Sequence, residues 1–190
     1  MRHILSLCDF TGQWPAPYEA AGYRVTRLDL KTTGDIRLLN PLDFGPVHGI
    51  LAAPPCTHFA VSGARWWKQK GPDALLEGLS VVDACLRFVT LLRPQWWALE
   101  NPVGRLKDYI GPSAFTFDPC DFGDPYTKRT QLWGQFVPPL PVFVGQNAAV
   151  EPVEGSKMHT RYGGSGGERA KAARSITPAG FAKAFFLCNP

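Results

Sequence analysis

The segment HILSLCDFTGQW, residues 3–14, decides the fold class. It opens as a compact apolar run and then breaks into Asp9, Phe10, Thr11 and Gly12. A short apolar run ending in such a turn reads as a buried strand entering a loop. The residues that follow, APYEAAGYRV, favour helix and are closed by Gly22. RVTRLDL (24–30) alternates as a strand and ends near Asp29, and HGILAAPP (48–55) is a third short buried run. PDALLEGLSVVDACLRFVTLLRP (72–94) repeats apolar residues at three- and four-residue spacing, which predicts a long helix stopped by Pro94. QWWALEN (95–101) predicts a strand that carries Glu100 and Asn101 to its carboxyl end. Short apolar strands separated by helices imply an α/β fold, a mostly parallel sheet flanked by helices. Ligands of such sheets bind beyond the carboxyl ends of the strands, and Asp9, Asp29, Cys56 and Glu100 all fall at those ends.

Composition fits a folded globule rather than a fibre or a membrane span. The chain has 190 residues, 45% hydrophobic and 12% aromatic, with 19 Gly and 18 Pro marking many loops. The length suits one domain, 1–190, and no apolar run reaches the length needed to cross a bilayer. Asp9 interrupts the N-terminal run, which reads as a first strand and not as a signal peptide. After residue 111, TFDPCDFG (116–123) and RTQLWGQFVPPLPVF (129–143) look like strands broken by prolines. GGSGG (163–167) is a flexible loop, and TPAGFAKAFFL (177–187) predicts a closing helix capped by Thr177.

Five cysteines, odd in number and without a CxxC or Cys/His cluster, argue against a disulfide framework and against a metal site. A reduced, cytoplasmic setting follows. The net charge of +4 is mild, but RWWKQK (65–70), TKRT (127–130) and the segment 157–174 concentrate it near aromatics. A solvated basic face explains any one of these; three together point to a polyanionic partner.

Within AAPPCTHFAVSG (52–63) two prolines stiffen the chain just ahead of Cys56. A phosphatase-type loop needs an arginine six positions beyond the cysteine, where this chain has Ser62. A papain-type pair needs an activated imidazole, yet His58 is too close in sequence and His159 is unanchored. Cys56 is thus either inert packing or a nucleophile of another kind. Glu100 has two readings as well: a partly dry proton donor, or a carboxylate that caps the next helix or pairs with Arg105.

Taken in order, these pieces resemble the cytosine-5 DNA methyltransferase family, in particular its small phage-type members. DFTGQW (9–14) is similar to the family's first motif, the loop around S-adenosylmethionine, with Phe10 and Gly12 matching and Trp14 standing at the second glycine. Asp29 matches the acidic residue on the ribose, and TGDI (33–36) the segment whose Asp35 and Ile36 lie near the adenine. APPCTHFAVSG resembles the Pro-Pro-Cys signature of the nucleophile, and ENP (100–102) resembles Glu-Asn-Val. PYTKRTQLWG (125–134) places Lys128 and Thr130 at the arginine positions of a further family strand, and RSITPAGFAKAFF (174–186) looks like its Arg-x-Leu-Thr segment.

The resemblance implies a Rossmann-like fold that binds S-adenosylmethionine through Asp9, Phe10, Thr11, Gly12, Asp29, Asp35, Ile36 and Pro54. It implies methyl transfer to carbon 5 of cytosine in DNA, with Cys56 and Glu100 catalytic and the base flipped out or single-stranded. Asn101, Ser62, Arg65, Lys128, Arg129 and Thr130 would then hold the nucleic acid. Three features depart from the pattern. Residues 135–173 form a short loop-rich segment where a target-recognition domain is usual, the Asn-rich closing motif is missing after Phe186, and Trp14 sits beside the cofactor. Trp14 implies a reshaped pocket, an altered donor or a closed site. The short segment implies weak specificity or a specificity partner. It also leaves open RNA or a free nucleotide as substrate, a modified S-adenosyl donor, or an inactive homologue that only binds.

Overall fold

The computed structural model describes residues 1–141 and 175–190. Most of the 135–173 segment, the glycine loop 163–167, the basic stretch 157–174 and His159 lie outside the described residues. The strands are β1 (His3–Leu7), β2 (Arg24–Leu28), β3 (Gly49–Ala52), β4 (Trp96–Pro102), β5 (Phe115–Phe117) and β6 (Thr130–Gln135). The helices are α1 (Ala16–Ala20), α2 (Trp67–Leu92), α3 (Lys107–Ile110) and α4 (Ala179–Cys188). They build one six-stranded sheet in the order β2-β1-β3-β4-β6-β5. β1 to β4 pair in parallel, while β6 runs antiparallel to both β4 and β5. The α/β architecture read from the sequence is the one observed.

Strand periodicity divides the core in two. Leu5, Leu7, Ile50, Ala52 and Leu99 point to one face, where Val82, Cys85 and Phe88 of α2 cover them. Ile4, Leu51, Trp96 and Ala98 point to the other, against Tyr18 of α1 and Phe181 and Phe185 of α4. α2 begins five residues earlier than its periodicity predicts and is bent at Gly71, whose φ of 72° is not helical. A helical run ahead of Pro72 needs such a break, because proline disfavours helical backbone in the residue before it.

Trp14 belongs to this second core layer and not to a ligand loop. It is 0% exposed, and its ring meets Phe185 edge-on at 5.6 Å and Phe181 at 5.8 Å. The expectation of an indole reshaping a cofactor pocket is therefore corrected. The turn after β1 sends the ring down between sheet and α4, where it fills space.

Strand order reverses between β1 and β3, since β2 lies on one side of β1 and β3 and β4 on the other. The carboxyl ends of β1 and β3 thus flank the crevice where open α/β sheets take their ligands.

Candidate functional site

The β1 end is built on a tight turn. Cys8 adopts φ 59°, a left-handed conformation that an L side chain occupies at about 1–2 kcal/mol, and its N–H still donates to Leu28 O at 2.7 Å. Asp9 then turns inward and is 5% exposed. Its Oδ1 accepts from the Thr11 hydroxyl at 2.8 Å and from Gly12 N at 3.0 Å, and Ser6 Oγ lies 3.5 Å from Oδ2. Asp9 and Thr11 therefore brace the loop. Gly12 has φ 69°, and a Cβ there would strike the Arg27 guanidinium, so the turn needs glycine. Phe10 projects outward, 54% exposed, with Lys31 Nζ 4.7 Å from its ring centre.

At the end of β2, Asp29 Oδ1 accepts from Lys31 N at 2.9 Å, and no partner among the described residues takes Oδ2. Asp35 is differently placed. It caps a short 3-10 turn, accepting from Arg37 N, and receives the Arg37 guanidinium on both oxygens. Hydrogen bonding from Arg37 holds the Asp35 carboxyl below its usual range. Arg37 also reaches Glu77 at 2.8 Å, tying this turn to α2. Ile36 is buried in the α2-side core. Ile36, and Asp35 through Arg37, thus fasten this turn to α2.

The Pro-Pro-Cys loop is sewn to the chain that follows Glu100. Asn101 Nδ2 donates to Pro54 O at 2.9 Å, and Asn101 is fully buried. Arg105 N donates to Phe59 O at 3.0 Å, Arg105 Nε to His58 O at 2.8 Å, and Val61 N to Val103 O at 2.9 Å. Gly104 lies so close that a Cβ would fall 1.9 Å from Phe59 O, so only glycine permits this approach. Between these stitches, Cys56 O accepts from Phe59 N and Ala60 N, each at 2.9 Å, which fixes the backbone under the thiol. The register agrees: Ala52 pairs with Leu99, which levels the residues after β3 with Glu100 and Asn101.

Burial separates the cysteines chemically. Cys85 is buried, and its hydrogen bond to Cys8, followed by burial, pushes its thiol well up. Burial raises Cys120 as well, helped by Asp121 and Asp118. Raised thiols are poor nucleophiles, whereas Cys56 is partly exposed at the sheet edge.

Glu100 does not wait at a strand end, because β4 continues to Pro102 under its antiparallel pairing with β6. Its partner is Lys128, with Nζ 3.7 Å from Oε1 and both side chains only 14% exposed. Arg105, the partner considered from sequence, is directed to His58 O and stacks 4.4 Å over Trp67. Lys128 was a signal that sequence reading assigned elsewhere: it faces a carboxylate rather than open solvent. Thr130 is 1% exposed and donates to Lys128 O at 2.6 Å, and Arg129 pairs with Asp118 at 3.1 Å. Of the residues expected to hold nucleic acid, Ser62, Arg65 and Arg129 are exposed, the first two on the turn Val61–Trp66 beside the Cys56 loop.

Among the described residues no cluster of three or more His, Cys, Asp or Glu could hold a metal ion, and no helix is long and apolar enough to cross a membrane. No known family profile matches the sequence, and no curated protein is similar to it. The fold does match a solved structure, the crystal structure of a prophage-encoded E. coli protein described as a DNA modification methyltransferase. The TM-score is 0.52 at 16% identity, over 71% of this chain and 47% of that one. This chain therefore spans about half the length of that protein, and the likeness shows a shared α/β fold.

Proposed function

We propose that the chain is an S-adenosylmethionine-dependent methyltransferase acting on carbon 5 of cytosine in DNA, with Cys56 as nucleophile and Glu100 as the group on ring nitrogen 3. The observation that carries this reading is the lacing of 54–61 to 101–105. It fixes the backbone around the partly exposed Cys56 against the residues that follow Glu100, which supports a nucleophile and a carboxylate working in one site. The fold it shares with a protein described as a DNA modification methyltransferase supports the same reading.

The residues at the β1 and β2 ends fit the cofactor. Phe10 offers an exposed ring and Asp29 keeps one oxygen for a hydroxyl, while the Arg27 guanidinium lies against Gly12. When bound, S-adenosylmethionine supplies an electrophilic methyl group to the activated carbon 5. The chain's own residues do the activating. Cys56 sulfur bonds to carbon 6, and the ring electrons move toward carbon 5. Glu100 donates or shares a proton at nitrogen 3, so that negative charge does not accumulate on the ring. Transfer of the carbon 5 proton to solvent water leaves its electron pair to form the 5,6 double bond, and the sulfur departs with the carbon 6–sulfur pair, which returns Cys56 as thiolate. An ordinary thiol of pKa about 8.5 is only a few per cent ionised at neutral pH, so a fixed attack line contributes much of the rate. The Pro54–Pro55 pair and the Asn101 bond supply that line. Lys128 places an ammonium beside the carboxylate that meets the base.

The test is trapping with an oligonucleotide carrying 5-fluorocytosine in the presence of S-adenosylmethionine. Fluorine at carbon 5 cannot leave as a proton does, so a stable adduct on Cys56 is expected, and Cys56→Ser should form none. Absence of any adduct with the wild-type chain, on duplex or single strand, overturns the assignment.

A further inference from the structure

Residues 57–70, directly after Cys56, carry three cations, Arg65, Lys68 and Lys70, and no carboxylate. This segment folds back over its own start. Lys70 Nζ donates to Thr57 O at 3.1 Å, and Arg105 joins the two halves by bonding His58 O while lying 4.4 Å over Trp67. Trp66 and the first turn of α2 are thereby held against the residues that follow the thiol. Trp66 is nevertheless 48% exposed, its ring covered on one side by the Arg65 guanidinium at 5.1 Å. Exposed cations and a half-exposed indole on one short segment together ask for an anionic, aromatic partner.

We propose that this face, centred on Trp66, seats single-stranded DNA, with a base neighbouring the target stacked on the indole and phosphates held by Arg65 and Lys68. The proposal rests on the reading that Cys56 attacks a nucleic-acid base. A π-face accepts any base, but only one that is already out of a duplex stack, which is why an exposed tryptophan beside the nucleophile selects an unpaired strand. On the β6 side Lys128 faces Glu100 and Thr130 is buried, while the exposed Arg129 is paired with Asp118. Among the described residues, the cations at 65–70, in the segment that follows Cys56, form no ion pair with a carboxylate.

Fluorescence anisotropy of a labelled single-stranded DNA oligonucleotide, about 4–16 nucleotides long to match a single-strand site, tests this on the full chain without methyl donor. The single strand should bind more tightly than the duplex of the same sequence. Trp66→Ala should weaken it about 5- to 150-fold, the range expected for losing one stacked base, while Trp66→Phe retains most of the affinity. Arg65→Ala with Lys68→Ala should lower the salt slope by about 1.4, at roughly 0.7 for each phosphate no longer neutralised. Trp66 is exposed, so unchanged thermal unfolding of Trp66→Ala confirms that folding is not what is read. Tighter duplex binding, or single-strand affinity unmoved by Trp66→Ala, overturns the proposal. Binding that depends on Trp66 with no 5-fluorocytosine adduct would overturn the methyltransferase reading and leave this one standing. An adduct formed at full rate by Trp66→Ala would do the reverse.

Discussion

Replacing Asn101 with alanine removes the hydrogen bond that ties the Pro-Pro-Cys loop to β4, and little else. Asn101 is 0% exposed, its Nδ2 lies 2.9 Å from Pro54 O, and Pro54 is itself buried. The freed carbonyl gains no water, so the loss should be that of a buried acceptor left unsatisfied, about 1–3 kcal/mol. For a chain of this length each kcal/mol moves Tm by about 2–4 °C, which gives a fall of about 2–12 °C. The three stitches on the far side of Cys56, through Arg105 and Val61, remain. The loop therefore stays attached while its proline side loosens. A displacement of about 1 Å at a reacting atom can slow a reaction on the order of 100-fold. The rate of adduct formation on 5-fluorocytosine DNA should thus fall far more than oligonucleotide affinity. Val82→Ala, a core truncation on α2 away from the loop, is the control: it should lower Tm comparably and leave the trapping rate within about twofold. If Asn101→Ala loses stability and traps at the wild-type rate, the lacing does not position Cys56.

Trp14→Ala should lose about 3–5 kcal/mol, a Tm drop of about 6–20 °C by calorimetry, because the ring is fully buried against Phe181 and Phe185. A stable Trp14→Ala with altered S-adenosylmethionine affinity would return that residue to the cofactor loop. Stability should also depend on pH through two histidines. Burial pushes His3 below 6.5, helped by the charge of Arg24, and burial pushes His58 down, helped by Lys70 and Arg105 and opposed by Glu77. The unfolded chain then takes up protons first as pH falls below 6.5, so stability is full above that value and lost as pH falls toward the folded pKa values. Urea midpoints at pH 7.5, 6.5 and 5.5 should decline in that order, by at most about 1.4 kcal/mol per pH unit for each histidine, and His58→Asn should flatten the decline. A midpoint that rises on acidification to pH 5.5 contradicts the assignment.

The four parallel strands were legible because each is a short apolar run bounded by turn or polar residues, so Asp9, Asp29 and Cys56 could be placed just past strand ends without coordinates, whereas Glu100 lies within β4. What failed was position within a motif. Trp14 follows Gly12 at the spacing of a cofactor glycine, yet a left-handed Cys8 and a turn braced by Asp9 rotate the next residues toward α4. Backbone handedness of that kind leaves little trace in composition, and Cys8 offers none of the glycine that would announce it. Asp35 likewise fits the spacing for an adenine contact, but Arg37, two residues on, takes its carboxylate.

Lys128 marks the sharpest limit. Its own neighbourhood, TKRT, reads as a basic surface turn, and local pattern gives no reason to turn it inward. The reason is the antiparallel register of β4 and β6, which sets Glu100 opposite Leu132 and Pro102 opposite Thr130. Residues 128, 130 and 132 alternate onto the face that Glu100 occupies, and Thr130 and Leu132 are buried there. A long cation two positions before a buried threonine must either leave that face or meet the carboxylate on it, and Lys128 meets the carboxylate. No periodicity within either strand encodes a register between them. The environment of the proposed acid was therefore the part of the site that only the assembled sheet could specify.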